Sequence, residues 1–180
     1  IVSLFASKIA PHDPYAIDLL NTLKPPSKEF LLGTDSLGRD VFSRLLYGAN
    51  RTIFSALIVV IVTFIFGTVI GVISGYIGGK VDRAIMRIVD VFLAFPGLVL
   101  AIALAGTLGG GMLNAMIAIG AISWTKYARI TRSKVLELKE ETFIQASRIS
   151  GHGAVYIMFK HIIPNILGYL IVTASLDIGT

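Results

Sequence analysis

Few side chains in this sequence could do chemistry, and their spacing narrows the list further. His12, His152 and His161 share no ligand-like spacing, so no metal site is expected. Cysteine is absent, which excludes a disulfide framework, a thiol nucleophile and a zinc–thiolate site. Gly78-Gly79-Lys80 has the end of a phosphate-binding loop. Val81, however, follows the lysine where a Ser or Thr is required, and Ser74 stands where the loop's first glycine belongs. No ATP site is visible. A serine elbow is missing too, and no two acids face each other within an apolar stretch. Two acids remain. Asp90 lies near one end of its apolar stretch, where it can pair with Arg87 or reach water. Asp177 lies well inside the last apolar run, where an ionisable group is a functional candidate; a helix that starts inside would instead carry it towards the outer interface. Both readings of Asp177 stand.

The elements that hold these residues are set by apolar length. Of the 180 residues, 54% are hydrophobic and 15% charged, against roughly 25% charged in an ordinary soluble domain. Mean hydropathy is +0.79. A soluble sphere of this size has too much surface to hide so many apolar side chains, and the same composition excludes disorder. The chain reads as an all-α membrane protein. Residues 52–79 carry no charge, and about 20 helical residues cross ~30 Å of hydrocarbon, so Thr52–Tyr76 is predicted as a transmembrane helix. Its many β-branched residues would favour strands in water, but in lipid the backbone must satisfy itself and helix wins. Residues 91–125 are also uncharged, too many for one span, and Gly109-Gly110-Gly111 interrupts them. The predicted helices there are Arg83–Leu108, kinked at Pro96, and Met112–Ile130. Ile162–Thr180 opens a further span. Ile1–Ser7 reads as the tail of an earlier helix, without the basic region or cleavage site of a signal peptide, and the chain reads as an internal piece of a longer one.

Charge sets the orientation. Lys80, Arg83 and Arg87 flank one turn; Lys126, Arg129, Arg132, Lys134, Lys139, Arg148 and Lys160 fill a segment two helices later. These are ten of the sixteen basic residues, and the glycine-rich turn between the two groups has none. The positive-inside rule assigns both groups to the cytoplasm. Basic residues in Lys8–Arg51 are nearly balanced by Asp13, Asp18, Glu29, Asp35 and Asp40, which places that segment outside. The net charge of +5 therefore reports orientation, and no nucleic-acid partner is expected. Within the outer segment, Asp40–Tyr47 carries Val41, Phe42, Leu45 and Leu46 on one face. It predicts a short amphipathic helix ended by Gly48 and lying on the outer interface.

Two patterns speak of packing and of partners. Gly67, Gly71, Gly75 and Gly79 recur at i+4 spacing, a smooth rail on which another helix backbone can approach closely. Residues 137–165 are too orderly for a connector. Glu140-Glu141-Thr142 suits a helix start, Phe143, Ala146 and Ser150 share a face, Gly151 and Gly153 end the helix, and Val155–Phe159 leads to Pro164. A short cytoplasmic helix with a protruding aromatic fits a partner's groove; a helix resting on the membrane or on its own bundle has the same pattern.

That segment resembles the coupling motif of ABC importer permeases: Glu-Ala-Ala, three residues, Gly, nine residues, Ile, one residue, Leu-Pro. Gln145-Ala146-Ser147, Gly151 and Ile163-Pro164 stand in that register, with Gln145 for Glu, Ser147 for the second Ala, His161 for the first Ile and Ile163 for Leu. His161-Ile-Ile-Pro-Asn165 is similar to the form in the peptide and nickel subgroup. Gly33–Arg44, Gly79–Arg87 and Phe95-Pro96 resemble that subgroup's C-type subunits. The resemblance implies a type I ABC importer transmembrane domain, here a fragment of a six-span bundle. Residues 1–51 would be the end of span one plus an extracytoplasmic segment, and 52–180 the transmembrane domain with a cytoplasmic coupling segment at 137–161. It further implies a second homologous permease subunit, two ATPase subunits holding ATP and Mg, an extracytoplasmic substrate-binding protein, and a place in a prokaryotic inner membrane. Phe143, Gln145, Ala146, Ser147, Gly151 and Pro164 would couple to the ATPase, and no cofactor or catalytic residue belongs to this chain. The implied cargo is peptides, with nickel as the alternative. From a different class, a homo-oligomeric channel could also use the glycine rail.

Overall fold

The computed structural model describes residues 6–178, and among these residues the regular structure is helical apart from an isolated bridge between Thr34 and Asp40. The expected helix tail at residues 1–5 lies outside the described residues; Ala6–Ile9 forms a single helical turn, α1. Contacts divide the chain into two units, residues 1–56 and 57–180.

The first unit is held by capping hydrogen bonds more than by apolar burial. Asp18 accepts the Leu20 N–H at 3.1 Å and thereby starts a 3-10 turn at Leu19–Asn21. Asp35 accepts the N–H groups of Leu37 and Arg39 and the Arg39 Nε at 2.8 Å. Desolvation pushes the Asp35 carboxyl up, but these donors outweigh it and hold it below the ordinary carboxylate range. Asp40, buried, caps the next helix by accepting the Ser43 N–H at 3.0 Å and the Ser43 Oγ–H at 2.6 Å.

From that cap α2 runs over Val41–Ile77. The short interfacial helix expected at Asp40–Tyr47 is therefore the first part of α2, and Gly48 does not end it. One glycine costs a helix only about 1 kcal/mol, and the long apolar run that follows supplies the continuation.

In the second unit α3 (Gly79–Leu93) and α4 (Gly97–Leu108) replace the single kinked helix expected at Arg83–Leu108, and they meet at 83°. Pro96 disfavours helical backbone at Phe95 and brings no N–H of its own, so the chain leaves the helix over three residues. Next come α5 (Met112–Lys139), α6 (Thr142–Ile149), α7 (Ala154–Ile157), a π-helical turn at Met158–Ile162 and α8 (Ile163–Ile178). Among the described residues two stretches, Val41–Ile77 and Ala154–Asp177, are long and apolar enough to cross a membrane, and a third if α3 and α4 count as one broken span. α5, expected to span at Met112–Ile130, is long enough but too polar to meet that test. Part of its polar surface is covered by neighbouring helices: Thr125, Tyr127 and Thr131 are buried, together with Ala118, Ile122, Ala128 and Val135, whereas Lys126 and Arg129 stay half exposed.

Gly67, Gly71 and Gly75 of the glycine rail face α5; Gly79 instead opens α3, with nothing within 4 Å of an added Cβ. A Cβ on Gly67 would lie 2.6 Å from Tyr127 Cβ; on Gly71, 2.6 Å from both the Ala128 carbonyl oxygen and Thr131 Cβ; on Gly75, 2.8 Å from Val135 Cβ. No side chain fits. Because the contacts advance together along both helices, α2 and α5 run parallel. α3 and α8 run antiparallel to α5, since Asp82 and Asp90 meet Arg132 and Arg129, and Asp177 and Tyr169 meet Lys126 and Lys134. Alternating direction is what successive membrane crossings require.

Gly71→Leu should destabilise the protein by about 3 kcal/mol or more, since backbone and not a flexible side chain occupies the space. Gly106→Ala, in α4 with nothing within 4 Å of the added carbon, should stabilise it by about 0.5–1 kcal/mol. Thermal unfolding of the detergent-solubilised protein measures both.

Candidate functional site

Two features concentrate the polar chemistry: a ladder of cations on α5 and the short helix α6. Lys126, Arg129 and Arg132 recur every third residue, and each meets an acid from another helix. Lys126 Nζ is 2.5 Å from Asp177 Oδ1, Arg129 pairs with Asp90, and Arg132 grips Asp82 at 2.5 and 2.6 Å with two nitrogens. Asp90 thus pairs with Arg129 and not with the expected Arg87. Asp177 also accepts the Tyr127 hydroxyl proton at 2.7 Å. Sequence reading saw the cations but not their partners, which lie 39 to 51 residues away.

Asp82 is the densest of these nodes. Ser74 Oγ, in the last turn of α2, donates to it at 2.5 Å, so one carboxylate joins α2, α3 and α5. Lys139 then donates at 2.9 Å to the Tyr76 carbonyl, one of the acceptors left open at the end of α2.

α6 sits beside this node. Its inward face is Ile144, fully buried, and Ser147, 8% exposed. Ile144 belongs to an apolar cluster with Val72, Val135, Ile157, Ile162, Ile166 and Leu170, which draws on α2, α5, α7 and α8. Arg148 lies 5.3 Å over the Tyr76 ring. The outward arc carries Thr142, Phe143, Ala146, Ile149 and Ser150 by helical spacing, with Phe143 41% and Ile149 88% exposed. Ile149 escaped sequence reading; its place on the same arc as Ala146 was the available signal. Gln145 is exposed and donates back to the Glu140 carbonyl at 3.1 Å.

Gly151 ends α6. The His152 N–H reaches the Ser147 carbonyl at 3.3 Å and the Gly151 N–H the Arg148 carbonyl at 3.0 Å, the two bonds of a Schellman cap. The cap needs a left-handed residue, and Gly151 has φ +83° with open space around it. Beyond the turn, Phe143, His161, Tyr156 and His152 form a chain of ring contacts 4.4 to 6.2 Å apart. Pro164 lies exposed in the first turn of α8 and removes the N–H that would bond Lys160. Just before it the helix widens: the Ile163 N–H donates to the Met158 carbonyl, five residues back. Of the six residues expected to couple, Phe143, Gln145 and Ala146 are thus exposed on α6, Ser147 turns inward, Gly151 makes the terminal turn and Pro164 belongs to α8. Among the described residues no group of three or more His, Cys, Asp and Glu side chains converges as metal ligands.

The family described as "Binding-protein-dependent transport system inner membrane component" matches residues 67–180. The chain is 42% identical over its whole length to the probable D,D-dipeptide transport system permease protein DdpC of Escherichia coli (strain K12), covering 60% of that protein. It is 41% identical over 99% of its length to the nickel transport system permease protein NikC of the same strain, covering 65%. To the oligopeptide transport system permease protein OppC of Bacillus subtilis (strain 168) it is 38% identical over its whole length, covering 59%. The chain therefore spans about three fifths of the length of these relatives.

Asp82→Asn should lower stability by about 2 kcal/mol, the scale of a charged hydrogen bond left unmade, and the exchange Asp82→Arg with Arg132→Asp should recover most of that loss. A double-mutant cycle on thermal unfolding gives the coupling.

Proposed function

Because the chain belongs to the family of binding-protein-dependent transport system inner membrane components, we propose that it is a permease subunit of an ATP-driven importer. Its place is the inner membrane, which it crosses more than once. Residues 1–51 act as the end of a first span and an extracytoplasmic segment, and 52–180 as the transmembrane domain. The chain works beside a second homologous permease, receives substrate from an extracytoplasmic binding protein, and draws its energy from two separate ATPase subunits that hold ATP and Mg. It performs no chemistry of its own. The cargo is peptides, the class named in DdpC and OppC. Nickel is the second reading, favoured by the 41% identity to NikC.

The observation that supports coupling most strongly is the two-sided build of α6. Outside, an apolar arc with Ile149 88% exposed lies on the side that charge assigns to the cytoplasm; inside, Ile144 is locked into a cluster shared with α2, α5 and α8. An ATPase groove that takes the outer arc moves α6 as a rigid body. The buried side chains then carry that motion into the helices, and alternating access follows.

Two measurements test this. With a single cysteine placed as Ala146→Cys in the full-length protein, any cysteine outside these 180 residues being replaced by serine, a bifunctional crosslinker in membranes should capture an ATPase subunit in a yield that changes with ATP. Capture of its own copies alone, or labelling indifferent to ATP, would favour the channel or the surface helix and sink the coupling role. Separately, Gly151→Val should cut transport while ATP hydrolysis continues, because a β-branched residue in the left-handed region costs about 1–2 kcal/mol. Gly153→Ala, at φ −69°, should transport normally.

A further inference from the structure

The Lys126–Asp177 pair is placed where an ion pair is hard to keep. Tyr127, next to Lys126, abuts Gly67, which lies ten residues before the end of α2 at Ile77. At 1.5 Å per residue that is about 15 Å, half the thickness of the hydrocarbon core. At this depth a charged side chain turned towards lipid is costly, so such groups face a polar cavity or another protein. Asp177 is well covered, with 22% of its side chain exposed, but Lys126 is 50% exposed. Ser123 and Ser133 share its face of α5 by helical spacing. Arg129 and Asp90, one turn further on, are exposed to 51% and 56%. The open side of α5, from mid-membrane towards its cytoplasmic end, is thus a strip of paired charges and hydroxyls.

We propose that Lys126 and Asp177 form a binding site for a zwitterionic substrate in transit, with Lys126 taking the carboxylate of a short peptide and Asp177 its ammonium group. The proposal rests on the peptide-importer reading and goes beyond it by naming the contact inside the membrane. The exchange is balanced in charge. Lys126 donates a hydrogen bond to Asp177 through one of its three ammonium N–H groups, keeps its charge, and can swing to a substrate carboxylate. Asp177 keeps the Tyr127 hydroxyl bond while it does so, and the substrate ammonium fills the place that Lys126 leaves. Tyr127 is 1% exposed and held against Phe64 and Gly67, so it is a fixed donor that positions the carboxylate throughout.

The test uses the full-length protein assembled with its partner permease, ATPases and binding protein in proteoliposomes. Uptake of radiolabelled dialanine is compared with uptake of its C-terminal amide, which lacks the carboxylate. The binding protein's own preference cancels when each variant is compared with wild type. Lys126→Met should lower uptake of the free acid on the order of tenfold or more, the loss of one charge-assisted hydrogen bond. Uptake of the amide should fall by less than about twofold on the same scale. Lys126→Arg should keep the wild-type ratio, and ATP hydrolysis should persist throughout. Unchanged uptake in Lys126→Met, or an equal fall for both peptides, overturns the site while the peptide reading stands. Should Lys126→Met not assemble, Lys126→Gln, which keeps a donor on Asp177, must show the same split between acid and amide; failure of both to assemble makes the pair a subunit contact and overturns the site. If the wild-type complex takes up neither dialanine nor its amide, the peptide reading fails and the site falls with it.

Discussion

Everything in residues 57–180 depends on how closely α2 and α5 approach. In lipid there is no hydrophobic drive to bring two apolar helices together, so association must come from dispersion at short range and from polar contacts that lipid cannot offer. Gly67, Gly71 and Gly75 remove the side chains that would keep the helices apart, and the backbone of α2 then lies on Tyr127, Ala128, Thr131 and Val135. That contact fixes the two helices as parallel. With α2 and α5 parallel, α3 and α4 must return the chain between them, and α8 must run the other way.

The same approach explains how α5 can be so polar. Taken alone it is not apolar enough to cross a membrane, yet α2, α3, α4 and α8 all pack against it. Three of its cations, Lys126, Arg129 and Arg132, are met by acids from other helices: Asp177 on α8, and Asp90 and Asp82 on α3. Removing one member of such a pair leaves a charge that lipid will not solvate, which makes these contacts strong constraints on helix register. Asp82 adds Ser74 to its partners, so the junction of α2, α3 and α5 is pinned at the end nearest α6.

α6 inherits its orientation from that pinned junction. Ile144 in the shared apolar cluster and Arg148 over Tyr76 hold one side, and the Schellman cap at Gly151 turns the chain sharply into α7. The π-helical turn before Pro164 then sets the direction of α8. The buried Ile144 packs in one cluster with side chains of α2, α5 and α8, which ties α6 to those helices.

Local physics, read from sequence, was enough for the all-α membrane class, for α2 from Thr52 onward, for the break at the glycine-rich turn and for the start and stop of α6. Each rests on neighbours in the chain: apolar length, glycine and proline punctuation, and i+4 spacing. The glycine rail was legible as a rail, but not that α5 would lie on it. A kink at Pro96 was legible, but not that the chain would leave the helix there and turn by 83° between two separate helices. Gly48 read locally as a stop; the Asp40 cap behind it and the apolar run ahead carried the helix through. Only tertiary structure assigned Asp90, Asp82 and Asp177 to their cations. An ion pair between residues 39 to 51 apart leaves no periodic trace in a sequence; it exists because the fold lays α3 and α8 antiparallel against α5, which brings those acids to their cations.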